Sequence, residues 1–196
     1  MEQNQLKRIA LSAMLIAVML VLGYVESLVP TGIPGVKLGL SNSVLILAIC
    51  WLGIPAAFAL MFAKVLLSGL LFSGVGAMLY ALAGGLFSMT AMCLLYCAGN
   101  FRLVTTAITG AVLHNVGQVT MAMLILRTDG LVWYMGVLML VGLVTGFVTG
   151  TAAQILNKRV PKSLLPKQPT GDADKVRVPI NLYRNKRSGT GDKDIW

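Results

Sequence analysis

Acidic side chains are almost missing from this sequence: between Gln3 and Gly171, only Glu26 and Asp129 carry a carboxylate. Chemistry on a magnesium diphosphate needs a rigid carboxylate cluster, so an autonomous prenyl- or phosphotransferase is not expected. No Walker lysine motif occurs, and the chain alone does not drive transport by nucleotide hydrolysis. Histidine occurs once, as His114, and the three cysteines, Cys50, Cys93 and Cys97, all fall inside apolar runs. An odd count in such runs does not make a disulfide framework, and the thiols read as small hydrophobes. Cys93 and Cys97 share a helix face, yet no His or acid near them in sequence completes a metal site. The expected content of metal and cofactor is therefore none.

What the chain has is apolar surface. Hydrophobic residues make up 57% and charged residues 12%, against about 25% charged in a soluble domain. Apolar runs lie near residues 6–28, 38–53, 55–72, 75–98, 103–126 and 131–156, most of them close to the roughly 20 residues that cross a hydrocarbon core. The reading is an all-α, polytopic membrane bundle of six transmembrane helices over residues 1–156, with a basic, largely disordered tail over 157–196. The run from Ile9 to Val29 is too long for a signal-peptide core and lacks a small-residue cleavage site, so it stays as the first span. Gly53-Ile54-Pro55 turns the short second run straight into the third.

The net charge of +9 is uneven, with ten of the sixteen basic residues lying after Leu156 against four acids. Such a tail suits anionic lipid at the cytoplasmic face. It lacks the stacking aromatics and the folded module that nucleic-acid recognition needs. With the amino terminus inside, Lys7, Arg8, Arg102, Lys158, Arg159 and Lys162 are cytoplasmic, and Lys37 and Arg127 external. That asymmetry puts both termini in the cytoplasm of a multi-pass plasma-membrane protein of bacterial type.

Two residues interrupt the apolar runs at depth. Lys64 lies nine residues after Pro55 and His114 eleven after Leu103, about 14 and about 17 Å along their helices. Both positions are near the bilayer midplane, where an ionisable group is costly and marks a site. His114 and Gln118 share a helix face with Asn115 at its edge. Such groups either tie helices together or line a pocket for a small, anionic metabolite. The pocket reading joins Lys64 as countercharge to His114, Asn115, Gln118 and Asn42.

The connection from Pro30 to Lys37 contains Pro30, Gly32, Pro34 and Gly35, which forbid a continuous helix. It is either a plain connector or a gate, and the polar stretch Gly39-Leu40-Ser41-Asn42-Ser43 beside it favours the gate. Glu26 reads as an interfacial partner of Lys37. Asp129 and Arg127 read as bounding an outer turn. Trp51, Tyr80 and Trp133 sit toward span ends, with Tyr80 the deepest. Gly142, Gly146 and Gly150 form a close-packing stripe in the sixth run, and Ala59 and Ala63 a shorter one in the third. Ala13 and Ala17 form a similar face on the first run, suited to the bundle or to a partner protein.

The stretch Pro34-Gly35-Val36-Lys37-Leu38-Gly39-Leu40-Ser41-Asn42 is followed by Gly53, Ala63-Lys64, Ser68-Gly69-Leu70-Leu71-Phe72-Ser73-Gly74 and His114-Asn115-Val116-Gly117-Gln118. Through these the chain resembles the Gx transporter family, which also bears the name heptaprenyl diphosphate synthase component I. It is similar, too, to substrate-binding S-components of energy-coupling-factor vitamin transporters. That resemblance implies six helices, a gate at residues 30–37, and docking of Ala13 and Ala17 on a coupling transmembrane subunit served by separate ATPases. It implies uptake of a small metabolite or vitamin, although no vitamin-specific signature is evident. The synthase name implies an alternative, a non-catalytic subunit in isoprenoid synthesis whose soluble partner holds the catalytic aspartates. In neither case is this chain itself the enzyme.

Overall fold

A computed structural model describes residues 2–28, 39–99, 101–161 and 163–166. The described residues fold as helices: α1 (Glu2–Ser27), a 3-10 turn (Leu40–Val44) leading into α2 (Leu45–Leu52), and α3 (Ile54–Ser68) ending in a π-helical turn (Gly69–Ser73). Then come α4 (Gly74–Ala98), α5 (Leu103–Leu126), a short 3-10 turn (Asp129–Leu131) and α6 (Val132–Arg159). Among the described residues, four helical stretches are long and apolar enough to cross a membrane, the longest running from Ile54 to Ala98 over 45 residues.

That longest stretch is a hairpin. A Cβ on Gly85 would stand 2.9 Å from Met61 Sδ, and one on Gly69 would stand 2.9 Å from Met78 Sδ. Pairing 61 with 85 and 69 with 78 is an antiparallel register centred on Gly74. There φ is +80°, a backbone state open to glycine at little steric cost. Pro55 opens α3 in its first turn, where its missing N–H has no helical partner to lose.

The same register argument orders the other helices. Gly84 meets His114, and Gly110 meets Met92, so α4 and α5 are antiparallel. Cβ atoms on Gly142, Gly146 and Gly150 would stand 3.2, 2.7 and 3.0 Å from the Cα atoms of Val112, Ile108 and Val104. The glycine stripe of α6 is thus internal packing, its backbone pressed on α5 as small residues allow. At one end of the bundle Arg8 donates to the Leu52 carbonyl (3.3 Å), Trp51 Nε1 to Asn157 Oδ1 (2.7 Å) and Lys7 Nζ to the Ser163 carbonyl (2.7 Å). The start of α1 and the end of α6 therefore share one end. Val160 and Leu165 pack on the core there. Residues 167–196, most of the expected tail, lie outside the described residues.

The second expected span needs correction. The five-residue turn and eight-residue helix that replace it extend about 22 Å, short of the roughly 30 Å hydrocarbon core. Every residue of α2 except Cys50 is buried. A helix apolar all round is a core helix, and the others surround this one. Trp51 is accordingly buried, whereas Trp133 is 87% exposed.

Filling the α5–α6 seam should be costly. Gly146→Val must move the Ile108 backbone and should destabilise the protein by about 1–3 kcal/mol. Gly136→Ala, on the same helix with nothing within 4 Å, should leave thermal unfolding in detergent nearly unchanged.

Candidate functional site: a buried polar layer around the 3-10 turn

The turn Leu40–Val44 sits at the centre of the polar interior. Its leading residue, Gly39, has φ +87°, and a Cβ there would stand 3.4 Å from His114 Cδ2 and 3.6 Å from Asn115 Oδ1. Glycine lets the backbone take this left-handed state and approach α5 closely. From α1, Glu26 accepts from the Leu40 backbone N–H and from Ser41 Oγ (3.0 Å). From α3, Lys64 Nζ donates to Asn42 Oδ1 (2.6 Å). A carboxylate and an ammonium are thus fastened to consecutive residues of one turn. Each stays inside the apolar bundle because hydrogen bonds offset part of its desolvation.

On α5, His114 Nε2 and Gln118 Nε2 are 2.6 Å apart. With the amide donating, the neutral ring carries its proton on Nδ1. Asn115 Nδ2 donates to the Leu138 carbonyl of α6 (2.7 Å). Opposite the imidazole α4 has Gly84, whose Cβ would stand 2.6 Å from the His114 carbonyl oxygen and 2.7 Å from its Nδ1. The α4 backbone therefore serves as a wall against the ring.

All five expected site residues, Asn42, Lys64, His114, Asn115 and Gln118, are buried, none more than 5% exposed. The turn brings them together: Asn42 holds Lys64 directly, and Gly39 abuts His114 and Asn115. Ala13 and Ala17 are exposed on α1, opposite the buried Leu15, Met19 and Gly23. The gate positions Pro30, Gly32, Pro34, Gly35 and Lys37 lie outside the described residues.

Glu26 adds to the sequence reading. It is 1% exposed and holds the start of the turn, while its expected partner Lys37 lies outside the described residues. The signal was an acid within an apolar run, which indicates an inward role as strongly as Lys64 does. Ser43 and Ser88 were also missed. Their hydroxyls are buried with no hydrogen-bond partner, as are Asn42 Nδ2 and Asn115 Oδ1. The pair Gly84-Gly85 within a long apolar run was a readable sign of a close approach.

These contacts set two stability expectations. Asn42→Leu removes the Lys64 acceptor and should destabilise by about 1.5–3 kcal/mol, the range for a hydrogen bond to a charged group. Adding Lys64→Met should recover much of that loss, measured as a double-mutant cycle by thermal unfolding. Ser88→Ala removes an unpartnered buried hydroxyl and should be neutral or stabilising by up to about 1 kcal/mol.

No curated protein and no solved structure matches this chain. A family model described as heptaprenyl diphosphate synthase component I matches residues 15–156, a span that includes Glu26, the central turn, Lys64 and the whole of α5. The chain belongs to the heptaprenyl diphosphate synthase component I family.

Proposed function

We propose that the protein is a substrate-binding subunit of the plasma membrane that takes up a small, anionic metabolite and draws its energy from a separate ATPase module. The observation that carries this reading is the meeting of a buried ammonium and an imidazole–amide pair, from α3 and α5, at one 3-10 turn. Lys64 supplies the countercharge. His114, Asn115 and Gln118 supply directed hydrogen bonds in a low-dielectric interior, where such bonds are strongest. Both termini lie in the cytoplasm, residues 30–37 gate the site, and Ala13 and Ala17 on the exposed face of α1 dock a coupling transmembrane subunit.

The family description favours a second reading equally: the non-catalytic membrane component of a two-component synthase for polyprenyl chains. Chemistry then belongs to a soluble partner. Among the described residues the acids are Glu2, in the first turn of α1, Glu26, fastened to the central turn, and Asp129, exposed before α6, and they form no carboxylate cluster of the kind that grips a metal diphosphate.

Purification from native membranes separates the two. ATPases and a membrane coupling subunit in the eluate support uptake; a soluble subunit rich in paired aspartates supports the synthase. Lys64→Met and His114→Ala should each lower the content of co-purifying small molecule at least tenfold while the bundle stays folded. Unchanged content in both variants removes the site.

A further inference from the structure

The two asparagines of the polar layer have amide orientations forced by their partners. The Lys64 ammonium only donates, so Asn42 must present its carbonyl oxygen to it. The Leu138 carbonyl only accepts, so Asn115 must present its NH2 to it. Neither amide flips without losing its bond. What remains is one donor, Asn42 Nδ2, and one acceptor, Asn115 Oδ1, both buried with no hydrogen-bond partner. Asn42 is 2% exposed and Asn115 0%.

These two atoms belong to one neighbourhood. Asn115 Oδ1 lies 3.6 Å from the place a Cβ on Gly39 would take. The Asn42 backbone N–H closes the turn on the Gly39 carbonyl at 3.1 Å. Gly39 and Asn42 are thus the two ends of one hydrogen-bonded turn, and that turn packs on α5. Buried polar groups in native proteins are nearly all partnered, so a donor and an acceptor left over at one turn point to an absent molecule that complements both.

We propose that Asn42 and Asn115 select the ligand's chemical class: an anionic metabolite that also bears an N–H or O–H donor, as hydroxy acids and amino acids do. The inference rests on the ligand-site reading above and adds the donor requirement. Lys64 and Asn42 Nδ2 face the ligand's oxygens, and Asn115 Oδ1 takes its donor. A fully ionised prenyl diphosphate offers acceptors alone, which would oppose Asn115 Oδ1 acceptor to acceptor. A site built to bond a donor rejects the analogue that lacks it far more strongly than an apolar pocket rejects a missing methylene.

The test uses the full-length protein in lipid nanodiscs and reads affinity by calorimetry and by thermal shift. Its probes are hydroxy- and amino-carboxylates, each paired with its donor-free isostere (lactate with propionate, for example), together with isopentenyl diphosphate. Donor-bearing members should bind at least tenfold more tightly than their isosteres. Asn115→Leu should erase that preference, and Lys64→Met should weaken both members alike. Equal affinity within the pairs, or tighter binding of isopentenyl diphosphate, with loss in Lys64→Met, overturns the donor requirement and leaves the anion site standing. Binding of no probe, with ordered water alone between the asparagines, overturns both.

Discussion

Everything in the interior is organised by the 3-10 turn at Leu40–Val44 and the two buried charges that hold it. In hydrocarbon a backbone N–H or an ionised side chain has no water to fall back on, so each must find its partner inside the protein. Glu26 answers the N–H that opens the turn, and Lys64 is answered by Asn42 within it. Because α1 and α3 are both fastened there, the position of the turn fixes the depth of α2 and the face that Gly39 shows to α5. If the Asn42 acceptor is removed and the charge kept, an ammonium stays buried with fewer hydrogen bonds, the situation in which buried ionic groups become destabilising.

Around that centre the helices are joined by absent side chains. Gly84 and Gly117 cross between α4 and α5, while Gly142, Gly146 and Gly150 press α6 onto α5. Between helices in lipid, close packing replaces the hydrophobic effect as the source of association. The glycine seams and the polar layer therefore depend on each other. Only a helix brought as near as α6 allows Asn115 to reach the Leu138 carbonyl, and only a glycine at position 84 leaves room for the imidazole.

Much of this was legible in the sequence because lipid imposes strict rules. Apolar length located the long helices, and the cost of charge at depth singled out Lys64 and His114 before any geometry was known. The second run was misjudged for a definite reason: a core helix surrounded by protein and a helix surrounded by lipid are both apolar on every side, so α2 read as a span. Its shortness was the distinguishing signal. The contact of Glu26 with the turn was not legible because position near the end of a run does not say whether a side chain turns into the protein. Amide orientation, on which the specificity argument depends, has no counterpart in sequence. It arises only when Lys64 and Leu138 supply a pure donor and a pure acceptor.

The unpartnered atoms bear on why such an interior is retained. A bundle selected for stability alone would place leucine or alanine where Ser88 now buries a lone hydroxyl, and would pair or delete the free ends of both asparagines. Local violations of that kind collect at functional sites, where the structure is complementary to something it does not itself contain. The two asparagine ends lie beside one ammonium, one imidazole and a turn with a left-handed glycine, on elements about seventy residues apart in sequence. A donor and an acceptor, set by two independent partners and brought to the same turn, are the observation on which the proposed ligand rests. The uptake reading requires such a molecule; the non-catalytic synthase component does not.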